Sequence, residues 1–132
     1  MSPGTGWVKS EFGIARPLDA GDSRGMEARE VMIGWTTTET RDDALRLARG
    51  LVENRLAACV QITGPITSIY RWEGKVDESL EFRVTAKFSA HRAAEVELWL
   101  SKHHPYSIPQ WICTRADAGS EKYLKWVLDD SS

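Results

Sequence analysis

From Val31 onward, apolar and polar residues fall into short blocks whose spacing predicts alternating strands and helices. The run Val31–Thr37 (VMIGWTT) is rich in β-branched and aromatic residues, as suits a strand buried on both faces. Thr40 stands three residues before Asp43, an N-cap pattern. Ala44, Leu47, Ala48, Leu51, Val52 and Arg55 then recur at helical spacing through about Asn54. Ala58–Thr63 predicts a second strand, interrupted at Gly64-Pro65 as by a bulge or bend, and Ile66–Trp72 resumes it. Glu73-Gly74-Lys75 turns the chain into Val76–Phe88, where Leu80, Phe82, Val84 and Ala86 alternate with Glu81, Arg83, Thr85 and Lys87. Ser89 is placed to cap a second helix through about Lys102, with Ala93, Ala94, Val96, Trp99 and Leu100 on one stripe. After the loop His103–Pro109, Trp111–Arg115 predicts a fourth strand, and Gly119-Ser120 opens a short helix carrying Tyr123, Trp126 and Val127.

The order β-α-β-β-α-β-α describes an α+β protein. Its first six elements are those of a ferredoxin-like βαββαβ sandwich, an antiparallel sheet with helices on one face, followed by a short C-terminal helix. Residues 1–29 hold five of the ten glycines and two of the five prolines and show no sustained period. They read as an N-terminal extension, flexible or left over from expression, ahead of a domain at residues 30–132.

Charge narrows the function classes. The chain has 17 Lys+Arg against 19 Asp+Glu, a net charge of −2, which is too even to argue for nucleic acid or an anionic membrane surface. No apolar run approaches the ~20 residues that span a bilayer. The first thirty residues carry Glu11, Asp19, Asp22 and Glu27 and lack an apolar core segment, so no secretory signal is expected and the expected location is cytoplasmic. The two cysteines cannot build a disulfide framework or a four-cysteine zinc site.

Geometry predicts assembly. Thirteen extended residues, Val76–Phe88, would span ~43 Å, against ~30 Å across a sheet in a domain of this size. Part of the hairpin then projects, carrying Ile69, Tyr70, Trp72 and Val76, and such a surface invites pairing with another copy.

Few residues offer chemistry. Cys59 reads either as a small buried hydrophobe or as a soft ligand for copper. His104 reads either as a metal ligand or as a ring that ties down a proline-bearing loop, and its neighbour His103 should point the other way. Glu81 and Lys87 share one face of a strand about 20 Å apart. The polar aromatics Tyr70, Trp72, Tyr106 and Trp126 suit an interface or a ligand cleft. No nucleophile–base pair stands out. The segment Thr36-Thr37-Thr38-Glu39 lacks the arginine and glycines of an acyl-phosphate loop, and the hairpin tip is too short to cradle phosphates. The expectation is a binding protein rather than an enzyme.

Four blocks, Leu56-Ala57-Ala58-Cys59-Val60, Ser68-Ile69-Tyr70-Arg71-Trp72-Glu73-Gly74-Lys75, His104-Pro105-Tyr106 and Tyr123-Leu124-Lys125-Trp126, stand in the order and spacing of the CutA family of divalent-cation tolerance proteins, which the chain resembles over residues 31 to about 128. The resemblance implies a homotrimer. It further implies a role in metal-ion tolerance, with copper or another divalent ion as ligand rather than as a required cofactor. Cys59 and His104 become the candidate metal residues, and Tyr70, Trp72, Glu81, Lys87, Tyr106 and Trp126 the candidates lining inter-subunit clefts. The alternative is a ferredoxin-like trimeric signalling protein that senses a small anionic metabolite. The chain departs from the family pattern in lacking a proline near Glu39, in Phe88 where a small hydroxyl residue is common, and in Ser107 and Gln110 where the family favours glutamate.

Overall fold

The computed structural model describes residues 6–9, 14–18, 28 and 30–132. In chain order these form β1 (Gly6–Lys9), β2 (Ile14–Leu18), β3 (Val31–Thr38), α1 (Arg41–Glu53), β4 (Cys59–Trp72), β5 (Lys75–Ser89), a 3-10 turn (Ala90–Arg92), α2 (Ala93–His103), β6 (Ile112–Arg115), β7 (Gly119–Ser120) and α3 (Glu121–Asp130). The main sheet has the order β4-β5-β3-β6 with every neighbouring pair antiparallel, the ferredoxin-like arrangement that the element order predicts.

Alternation along the strands separates two cores. Leu47 and Leu51 of α1 and Val96 and Leu100 of α2 bury against Ala86 and Phe88, with Met32, Val60 and Cys113 packed alongside. Val31, one residue from Met32 and therefore on the opposite face, packs instead with Leu124 and Val127 of α3. The terminal helix thus covers the face that α1 and α2 leave open. It does so with Leu124 and Val127, whereas Tyr123 and Trp126 of the predicted stripe stay largely exposed. Gly34 lies directly beneath the Trp111 ring, and a Cβ there would collide with it.

Local signals hold at most element ends. Thr40 caps α1, its hydroxyl accepting from the Asp43 amide at 3.1 Å. The β4–β5 hairpin turns on Glu73 and Gly74, both at positive φ, as a two-residue type I′ turn requires. The strand pairing shifts register between Thr63 and Ile66, where Gly64-Pro65 predicts a bulge. Ser89 does not cap the second helix: the chain enters α2 through the 3-10 turn. The Ser89 hydroxyl is drawn instead to Ser131, 3.0 Å away, because α3 brings a buried partner that the sequence neighbourhood lacks. Ala94, expected on the α2 stripe, is exposed.

Two short strands lie in the leading segment. β1 pairs with β2, and β2 continues onto β7 through Ile14↔Ser120 and Ala15↔Gly119. No sustained alternation in the sequence marks these strands. Residues 1–5, 10–13, 19–27 and 29 of the expected extension lie outside the described residues.

The distal half of the β4–β5 hairpin stands clear of both cores, with Ile69 at 68 % and Val76 at 66 % exposure. β4 and β6 are the two edges of the main sheet. No helix among the described residues is long and apolar enough to cross a membrane.

Candidate functional site

The long hairpin supplies one wall of a groove. Ser68, Tyr70 and Trp72 are two residues apart on β4 and so share a face. The register places Ser79 opposite Ser68 and Glu81 opposite Ile66 on that same face. The facing wall is the loop after α2, with Tyr106, Ser107, Ile108 and Gln110, and the end of β3 adds Thr37 and Glu39. The space between is about 1020 Å³.

His104 holds the loop in place. Its Nδ1 accepts from the Tyr106 amide at 3.1 Å, and its Nε2 lies 2.9 Å from the Thr37 carbonyl and 3.0 Å from Thr36 Oγ1. Because Nδ1 is an acceptor and a carbonyl cannot donate, the ring is the neutral tautomer with its proton on Nε2. Burial, outweighing the hydrogen bond to Thr37 and the nearby Asp43, lowers its pKa below the usual 6.5. Both ring nitrogens are therefore committed, and of the two readings of His104 the geometry matches the loop anchor. No lone pair is left for a metal in this arrangement.

Tyr106, placed by that anchor, donates its hydroxyl to Glu81 Oε2 at 2.9 Å. Burial first, and then this bond to the carboxylate, push the phenol well above its ordinary range, so it is a fixed donor and not a base. Glu81 is only 9 % exposed. The described residues give it one side-chain hydrogen bond, to Oε2, and no ion pair.

The groove gathers Tyr70, Trp72, Glu81 and Tyr106 from among the sequence candidates and leaves the others outside. Lys87 sits in the cross-strand row of Cys59 and Ile33, where its amine donates to Gln61 Oε1 at 3.1 Å and lies 5.4 Å from the Tyr123 ring. Trp126 also rests on Tyr123, with ring centroids 5.6 Å apart. Cys59 lies on that face and His104 at the far end of β3, so the two metal candidates are not brought together. Among the described residues no three His, Cys, Asp or Glu side chains cluster as a metal site would require. Cys113 is raised in pKa by burial, as fits a packing residue.

Glu39, Ser68, Ser79 and Ile108 belong to the groove and were not singled out by the sequence. For Ser68 the signal was present, since it precedes Tyr70 and Trp72 at period two. Glu39 and Ile108 reach the groove through tertiary folding alone.

Known proteins agree with this architecture. The family model "CutA1 divalent ion tolerance protein" matches residues 32–130. The divalent-cation tolerance protein CutA of Thermus thermophilus is 35 % identical over 95 residues, covering 72 % of this chain and 92 % of that protein. The CutA homolog of Xenopus laevis is 40 % identical over 83 residues, covering 63 % of this chain; the match spans about half, 55 %, of that longer protein. The solved structure of CutA from Synechococcus elongatus PCC7942 superposes with a TM-score of 0.75 at 34 % identity, covering 79 % of this chain and 92 % of the other. Its complex with a Bis-Tris molecule superposes at 0.70 and 33 % identity, covering 76 % and 92 %. With a family match over residues 32–130 and a fold that superposes on solved members, this chain belongs to the CutA1 divalent ion tolerance protein family.

Proposed function

We propose that the protein is a non-enzymatic binding member of its family, a homotrimer that holds a small ligand in the groove between the long hairpin and the Ser107–Gln110 loop. The observation that carries this reading is the convergence of Tyr70, Trp72, Tyr106 and the buried Glu81 on one space large enough for a small molecule. Assembly is supported by the projecting hairpin and by the open edges β4 and β6, while the three-fold count rests on family resemblance. The reading of the groove as one side of an inter-subunit cleft likewise rests on the family resemblance. A relative solved with Bis-Tris, a hydroxylated amine, suits a ligand of this size.

Copper or another divalent ion fits less well. Cys59 and His104 are apart, and Ser107 and Gln110 of the groove wall are not carboxylates. An anionic metabolite also fits less well, since Lys87 is not among the residues that line the groove. Thermal shift with Bis-Tris, divalent ions and anionic metabolites tests the proposal, alongside light scattering at micromolar concentration. The expected result is a trimer stabilised by a small organic ligand in the wild type and not in Trp72→Ala. A folded monomer, or stabilisation by copper that Cys59→Ser and His104→Ala abolish, contradicts it.

A further inference from the structure

Glu81 is a buried carboxylate with a hydrogen bond on one oxygen and no ion-pair partner among the described residues. Burying a charge without a counter-charge is costly. Among the described residues, the groove that Glu81 borders holds a second carboxylate, Glu39, and no Lys, Arg or His. An anion entering there would meet like charge, and a neutral molecule would leave Glu81 uncompensated. A divalent metal fares little better: one Glu81 oxygen is taken by Tyr106, and no cluster of three ligating side chains forms among the described residues.

The remaining walls specify the cation. Tyr70, Trp72 and Tyr106 present aromatic rings, and a carbon-substituted ammonium gives up its water at the least cost when it settles on an aromatic face. Ser68, Ser79 and Gln110 add neutral hydrogen-bonding groups, which suit hydroxyls on the same molecule.

Taking the groove as the ligand site, we infer that its ligand is a small organic ammonium ion, held with its charge against Glu81 and its carbon skeleton against Tyr70, Trp72 and Tyr106. Glu81 is then the counter-ion and Tyr106 a positioning residue, its hydroxyl fixing the carboxylate.

A charge series on the full chain tests this. Calorimetric titration compares choline with its uncharged carbon isostere dimethylbutanol and with the anion dimethylbutyrate, all of similar size. The expected result is that choline binds roughly tenfold or more tighter than the alcohol, and the anion weakest. Glu81→Gln, which keeps an acceptor for Tyr106, should weaken choline by a similar factor and abolish its advantage over the alcohol, with the circular dichroism spectrum unchanged. Equal affinity for choline and the alcohol, or tighter binding of the anion, overturns the inference while leaving the groove a ligand site. Failure of all three to bind also overturns it. The groove reading itself falls only if the wider thermal screen is empty as well.

Discussion

Tyr106 and Glu81, 25 positions apart in sequence, are joined by a 2.9 Å hydrogen bond from the phenol to Oε2 that ties the loop after α2 to the root of the projecting hairpin. Two walls that would otherwise be independent become one groove. The bond is donated to a carboxylate in partly buried surroundings, where such bonds are stronger than neutral ones.

Tyr106→Phe keeps the ring and removes only that bond. The expected loss is about 1–2 kcal/mol per subunit, at the low end for a charge-assisted bond because the groove is open to water. Urea denaturation at fixed protein concentration measures it, since assembly makes apparent stability depend on concentration. A loss indistinguishable from zero would show that water replaces the phenol at no cost.

The pH dependence follows from His104. Its pKa is lowered in the folded chain, so between that value and 6.5 the unfolded state binds the proton and the folded state does not. His104 therefore contributes stability that is fully present above about pH 6.5 and is lost as pH falls through the folded pKa. The charged groups that face it are Asp43 and Arg46 of α1 and Glu81 of β5. Protonation would also put a hydrogen on Nδ1, where the Tyr106 amide now donates, and loosen the loop. Thermal melts from pH 8 to about pH 5 should show this decline in the wild type and a flatter profile in His104→Gln. Parallel profiles would assign the decline to other groups.

Gly34→Ala tests the contact between β3 and Trp111. A Cβ at this position overlaps the indole, so the ring must move out of the core beside Phe88. Overpacking of this kind costs about 1–3 kcal/mol. The double variant Gly34→Ala with Trp111→Phe should recover part of the loss, and a melt unchanged by Gly34→Ala alone would mean that the ring shifts freely.

The sheet, the two packed helices and the projecting hairpin were legible because each is written locally. Val84, Ala86 and Phe88 alternate on β5, Leu47 and Leu51 repeat at helical spacing on α1, and Glu73-Gly74 marks the turn. Half of the site was legible for a similar reason, since Tyr70 and Trp72 share a strand face. Ser89 misled because its best partner, Ser131, lies 42 positions away and outcompetes the local cap. β1 and β2 were not legible because no sustained period marks residues 1–29. Lys87 shares a strand face with Glu81 and joins it as a cleft candidate through the family resemblance, but it lies about 20 Å along the strand and its amine turns to Gln61 and Tyr123.

The central claim is that a ligand seats between the hairpin and the Ser107–Gln110 loop, and the six tryptophans allow it to be read directly. Nitrogen-edited NMR of the indole N–H groups during titration with protonated Bis-Tris, with Trp72 assigned by Trp72→Phe, reports where the ligand sits. The account predicts a saturable shift of the Trp72 indole, with Trp99 of α2 and Trp126 of α3 unmoved. Saturable shifts at Trp126 or Trp99 without Trp72, or no shift at any of the six, would contradict it.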